Sequence, residues 1–171
     1  MLIYFRRNSR GFNGELVSCI RFLYRTTKFR HFDPIISKNI AFYRAEKIFD
    51  SLYNYIQFEG SVKLNNGNKN LALKKAETLT NEIIKNASPH FVVEAITELG
   101  WIYDDAGQHQ KAYNLLETAT PFAIKNKDPQ NTDIAGVEYR RGYYAAKMGD
   151  FPLANYHYQK ALRLLKKTGK L

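Results

Sequence analysis

The 171-residue sequence holds a single cysteine, Cys19. One thiol closes no disulfide within the chain and supplies no thiolate cluster for a metal, which fits a reducing compartment. Long apolar runs are also missing. Nothing in the sequence approaches the roughly 18–20 apolar residues of a membrane-spanning helix, so a soluble or peripheral protein is expected. There is no glycine-rich phosphate cradle and no nucleophile elbow. The four histidines, His31, His90, His109 and His157, are scattered; none stands four residues from another, and none is expected to form a His–Glu pair with ligand spacing. We therefore expect no metal site, no cofactor, no small-molecule substrate and no enzymatic activity. Glu94, Glu98 and Asp105 share one helical region, where acids on a helix face are ordinarily just solvated.

Acidic residues are scarcest at the start. The net charge is +10. Residues 1–32 hold six Arg and one Lys against Glu15 alone, while the remaining residues are nearly balanced. On a helical wheel Leu2, Phe5, Phe12, Leu16, Cys19, Ile20 and Leu23 gather on one side, with Arg6, Arg7, Arg10, Arg21 and Arg25 on the other. An Arg-rich, acid-poor amphipathic segment has the composition of a mitochondrial targeting sequence and suits contact with an anionic membrane surface. Residues 1–36 are thus expected to be a basic arm, and localisation mitochondrial, in the matrix or at the inner membrane. Gly11 and Gly14 weaken a continuous helix there, which a transient import signal tolerates. The other reading of this arm is a basic segment that binds nucleic acid or the ribosome. Cytoplasmic residence is the alternative location.

Apolar content of 44% and aromatic content of 14% suffice for one core. A frame of glycine, glycine seven residues on and alanine five further recurs three times: Gly60/Gly67/Ala72, Gly100/Gly107/Ala112 and Gly142/Gly149/Ala154. A small residue at each end of the frame lets two helices cross closely, and the middle glycine tolerates the positive φ of a tight turn. Around it, Ile96, Leu99 and Tyr103, then Ala112, Leu115, Leu116 and Ala119, follow helical rather than strand spacing. Repeats of this length point to stacked helical hairpins. Before them, residues 37–65 read as one long amphipathic helix carrying Ile40, Phe42, Ile48, Phe49, Leu52 and Ile56, with a separate capping helix over its early part as the alternative.

The middle frame, with Ile96, Leu99, Gly100, Tyr103, Gly107, Ala112, Leu116 and Ala119, resembles the tetratricopeptide repeat. The third departs from that pattern with Arg141 and Ala145, and the first with Glu59 and Lys63. The leading glycines stand 40 and 42 residues apart, against about 34 in the common repeat. This is similar to the long variant of kinesin light chains and bacterial peptide-sensing regulators. The connector from Lys127 to Asp133, with Pro129 as a helix stop and Thr132 or Asp133 as a cap, fits that variant.

The resemblance implies an all-α fold, a right-handed α-solenoid of about three hairpins over residues 37–171, with repeats near 53–88, 93–128 and 135–168. It also implies a concave groove lined by Asn54, Gln57 and Ser61, then Glu94, Thr97, Trp101 and Asp104, then Tyr139, Tyr143 and Ala146. Trp101, Tyr139 and Tyr143 either anchor a partner there or pack between helices. The places of a carboxylate clamp for chaperone tails hold Thr97, Trp101, Gly136 and Arg140, which argues against that role.

The last helix, near 152–167, carries more apolar positions than one neighbour covers, among them Tyr156, Leu162 and Leu165. It is expected to be an exposed docking edge with a basic rim of Lys160, Arg163, Lys166, Lys167 and Lys170. The expected function is a non-enzymatic scaffold that binds protein subunits of a larger complex. It would act as accessory subunit or assembly factor in the mitochondrion, for a respiratory complex first and the mitochondrial ribosome second. A bacterial cytoplasmic peptide-sensing regulator is the alternative. RNA suits less well, because Glu94 and Asp104 fall in the inferred groove.

Overall fold

The structure, a computed structural model, describes residues 33–57, 59–60, 68–126 and 131–169. The arm within residues 1–32, Phe58, Ser61, Gly67, the connector from 127 to 130 and Lys170 lie outside that set. Among the described residues all regular structure is helical. Helix α1 spans Asp33–Ala45, a 3-10 helix Phe49–Tyr55, α2 Lys69–Asn86, α3 Pro89–Asp105, α4 His109–Glu117, α5 Thr120–Lys125, α6 Asp133–Lys147 and α7 Phe151–Lys167. None of the described helices is long and apolar enough to cross a membrane.

Two of the frame glycines make the turns. Gly107 and Gly149 have φ of +73° and +81°. In each case the next N–H reaches back five residues, from Gln108 to the Tyr103 carbonyl at 2.7 Å and from Asp150 to that of Ala145 at 3.0 Å. These 6→1 bonds close the preceding helix, and a side chain at φ > 0 would strain them. Asp150 then accepts from the Leu153 N–H at 3.0 Å, capping α7. So α3 folds back on α4, and α6 on α7.

Helix α3 is the centre. It packs against the 3-10 helix, α2, α4, α5 and α6, and Val92, Val93, Ala95, Ile96, Leu99 and Ile102 are all buried. A helix apolar most of the way round belongs between neighbours, not at a surface. The outer frame glycines mark where layers meet. A Cβ on Gly60 would collide with the Ile102 side chain of α3, and one on Gly100 would lie 3.1 Å from the Tyr144 hydroxyl of α6. Each thus faces the next hairpin, not, as the frame suggested, its own second helix. Only Gly142 does the latter, against Tyr158 and Ala154 of α7.

Two helices differ from expectation. The long helix over 37–65 is broken, and helix begins at Asp33, inside the expected arm. At Lys47 the chain takes φ +54°, and the Ile48 N–H bonds the Tyr43 carbonyl at 2.9 Å. The reversal stacks Tyr43 on Tyr55 at 5.8 Å and lets Ile36, Ile40, Leu52 and Ile56 all reach one core. Asp50 receives the Ser88 N–H at 2.8 Å, tying the 3-10 helix to the start of α3. The second helix of the middle hairpin is also split. Pro121 has no N–H for the Glu117 carbonyl, so the chain tightens, with Ala119 N–H on the Leu116 carbonyl at 3.2 Å, and restarts as α5.

Candidate functional site

The inferred groove separates into three fates. Trp101, Asp104 and Tyr143 do come together. The Trp101 ring lies 5.3 Å from Tyr143 and 6.0 Å from Tyr144, and the Tyr143 hydroxyl donates to Asp104 Oδ2 at 3.1 Å. His109 Nδ1 stands 2.7 Å from Asp104 Oδ1, and the Lys147 ammonium sits 5.3 Å from the Tyr143 ring centre. These side chains engage one another across α3 and α6, so much of their surface holds the hairpins together.

Thr97 is not a groove residue: it is 1% exposed, because α3 is covered on that side too. Glu94 lies near the other end of α3, within reach of His90 and Asp133. Tyr139 opens on the far side of α6, where it is exposed and stacks on Tyr158 of α7 at 5.6 Å.

That far side is where the described surface is most hospitable to a partner. The small side chains of Ala135, Gly136 and Ala161 leave a concavity of about 530 Å³, bordered by Tyr139, Tyr158, Leu162 and Leu165. Tyr139 is 56% and Leu162 42% exposed. The sequence placed Tyr139 and the two leucines in different sites; the fold puts them in one. Tyr156 is exposed but does not border this space. Helix α7 contributes Lys160, Arg163, Lys166 and Lys167 and no acid, with Arg163, Lys166 and Lys167 exposed.

Beneath the face runs a polar chain that sequence reasoning missed. Glu138 is buried, takes His157 Nδ1 at 2.7 Å and the Lys160 ammonium at 2.7 Å. His157 Nε2 pairs with the Tyr113 hydroxyl at 2.9 Å, and Arg141 donates to that hydroxyl at 3.1 Å. Burial pushes the Glu138 carboxyl up, but the hydrogen bonds and charges of Lys160 and His157 outweigh it and hold the group below the usual range. Lys160 therefore spends its charge inward, which leaves the other three cations for the rim.

A second cluster escaped notice. His90, Glu94 and Asp133 bring one ligand atom each within 4.8 Å of one another. Its signal was in the sequence: His90 and Glu94 are four apart, hence on one helix face, but Asp133 joins them only through the fold. Compared with protein-family models and with curated proteins, the sequence matches none.

Proposed function

We propose that the chain is a non-enzymatic scaffold of tetratricopeptide-like repeats in a right-handed stack, and that the outer α6–α7 face docks an acidic amphipathic helix of a partner protein. The solenoid reading is supported by a recurring contact, Gly60 against Ile102 and Gly100 against Tyr144. In both pairs a glycine leaves a gap that a side chain of a following helix fills. At Tyr139, Tyr158, Leu162 and Leu165 an apolar concavity is present with no described residue seated in it.

The single observation that carries the docking reading is this apolar concavity beside the acid-free, cationic helix α7. An apolar helix face would fill the space left by Ala135, Gly136 and Ala161, and aromatic and leucine borders are what bury well in an interface core. A second copy would bring Arg163, Lys166 and Lys167 against their own kind, whereas acids flanking the apolar stripe of a partner helix would meet them. The Arg-rich composition of residues 1–32 supports a mitochondrial setting, and hence an accessory or assembly role in a respiratory complex before the mitochondrial ribosome.

A photo-crosslinker at Leu162 of the full chain, introduced in its own cells, tests this when followed by mass spectrometry of the joined segment. The expected product is an acidic amphipathic helix within a stoichiometric mitochondrial complex, whose synthetic peptide binds the purified chain and loses about tenfold or more in affinity with Leu162→Asp. Joining to a second copy or to RNA, or peptide binding indifferent to Leu162→Asp, would overturn the docking reading. Recovery from the cytosol would overturn the mitochondrial one.

A further inference from the structure

We propose that His90, Glu94 and Asp133 form a binding site for a divalent transition-metal ion of the zinc type. The three ligand atoms lie within 4.8 Å of one another. Around zinc, bonds of about 2.0–2.1 Å in tetrahedral array set neighbouring ligand atoms about 3.3 Å apart. His90 Nδ1 already stands 3.0 Å from Asp133 Oδ1, close to one edge of such a tetrahedron. Glu94, one helical turn after His90 on α3, brings the third ligand atom within the same 4.8 Å.

Electrostatics favours the ion. Two carboxylates and a single imidazole converge within 4.8 Å. Among the described residues nothing hydrogen-bonds to Glu94, which is half-buried. The Asp133 side chain, in contrast, is only 8% exposed and is oriented from behind: the Asn126 amide donates to Oδ2 at 2.8 Å. A carboxylate fixed by an outer amide and an adjacent one left unpaired is an arrangement that a cation completes. One nitrogen and two oxygens suit zinc and its neighbours better than calcium or magnesium, which take six or more oxygen ligands. His90 is exposed enough for the ion to enter from solvent, and three protein ligands leave a fourth position for water.

The bound ion would join the start of α3 to the start of α6. Asp133 follows Thr132, which borders the docking concavity, but the site stands on its own residues and does not depend on a partner.

The test uses the full chain, stripped with a chelator and titrated with Zn²⁺ by calorimetry and with Co²⁺ by visible absorption. One equivalent is expected to bind, weakened at least about tenfold by His90→Ala and by Glu94→Gln, and unchanged by His109→Ala, which alters the separate pair with Asp104. Neither His90 nor Glu94 is in the core, so the helical circular dichroism of both variants should match the parent. No binding of either metal, binding indifferent to His90→Ala and Glu94→Gln, or an equal loss in His109→Ala would overturn the site.

Discussion

Gly142 and Gly100 occupy the same place in the repeated frame, yet an added methyl group meets different neighbours. At Gly142 it would lie 2.8 Å from two ring carbons of Tyr158 and 3.1 Å from the Ala154 carbonyl, which is backbone and cannot step aside. At Gly100 the nearest atom is the Tyr144 hydroxyl at 3.1 Å, with ring carbons at 3.6 Å and beyond. Overpacking costs about 1–3 kcal/mol, and replacing a mid-helix glycine by alanine returns about 1 kcal/mol. Gly142→Ala should therefore lose up to about 2 kcal/mol, while Gly100→Ala should stay within about 0.5 kcal/mol of the parent. Urea midpoints measure both, and equal losses would show that the crossings are equivalent. The sequence made the need for small residues legible, because spacing alone reveals it. It did not reveal which helix each glycine faces, since a frame states intervals along the chain and not the neighbour across a gap. Thr97 illustrates the same limit: its helical phase fitted a groove, but α6 and the 3-10 helix cover α3 from sides the frame does not encode.

Between elements, the link that matters most is Glu138. It joins α6 to α7 through His157 and Lys160, and His157 carries the contact on to Tyr113 of α4. Because the folded Glu138 carboxyl is held below its usual range, its contribution to stability is fully present above about pH 4.3, the ordinary carboxylate value. It is lost as pH falls through the lowered folded value. Glu138→Gln should cost about 2 kcal/mol at pH 7, less than a fully buried pair because Lys160 is partly in water. The gap between parent and variant should hold from pH 7 to pH 5 and shrink below pH 4. Chemical denaturation across that range checks it; a gap that widens on acidification would reverse the assigned sign. Nothing local announces this chain of polar groups, since Glu138 is 19 residues from His157 and its neighbours read as an ordinary amphipathic turn. The reversal at Lys47 was hidden for a similar reason. The segment around it has neither glycine nor proline, and its apolar residues look like one long helix because both limbs of the reversal bury against the same core.

At the scale of the molecule, protection should decline from the middle hairpin outward. Helix α3 is held on several sides, whereas α7 packs chiefly on α6, with only Ala154, His157 and Ala161 buried along its length. A helix packed on one neighbour opens at lower free energy than one packed on several. Amide exchange should therefore be slowest in α3, around Ile96 to Ile102, and fastest in the last two turns of α7, beyond Ala161, where the helix has few buried anchors. The excess of apolar positions along α7 was visible in the sequence and pointed to this edge; what the fold adds is that Tyr139 of α6 completes it. If an acidic helix docks between Tyr139 and Leu165, exchange beyond Ala161 should slow by about tenfold or more when the partner peptide is bound, while α3 stays as it was. Slowing in α3 and α6 that leaves the end of α7 unchanged would instead place the bound helix against Trp101 and Tyr143, which lie on those two helices.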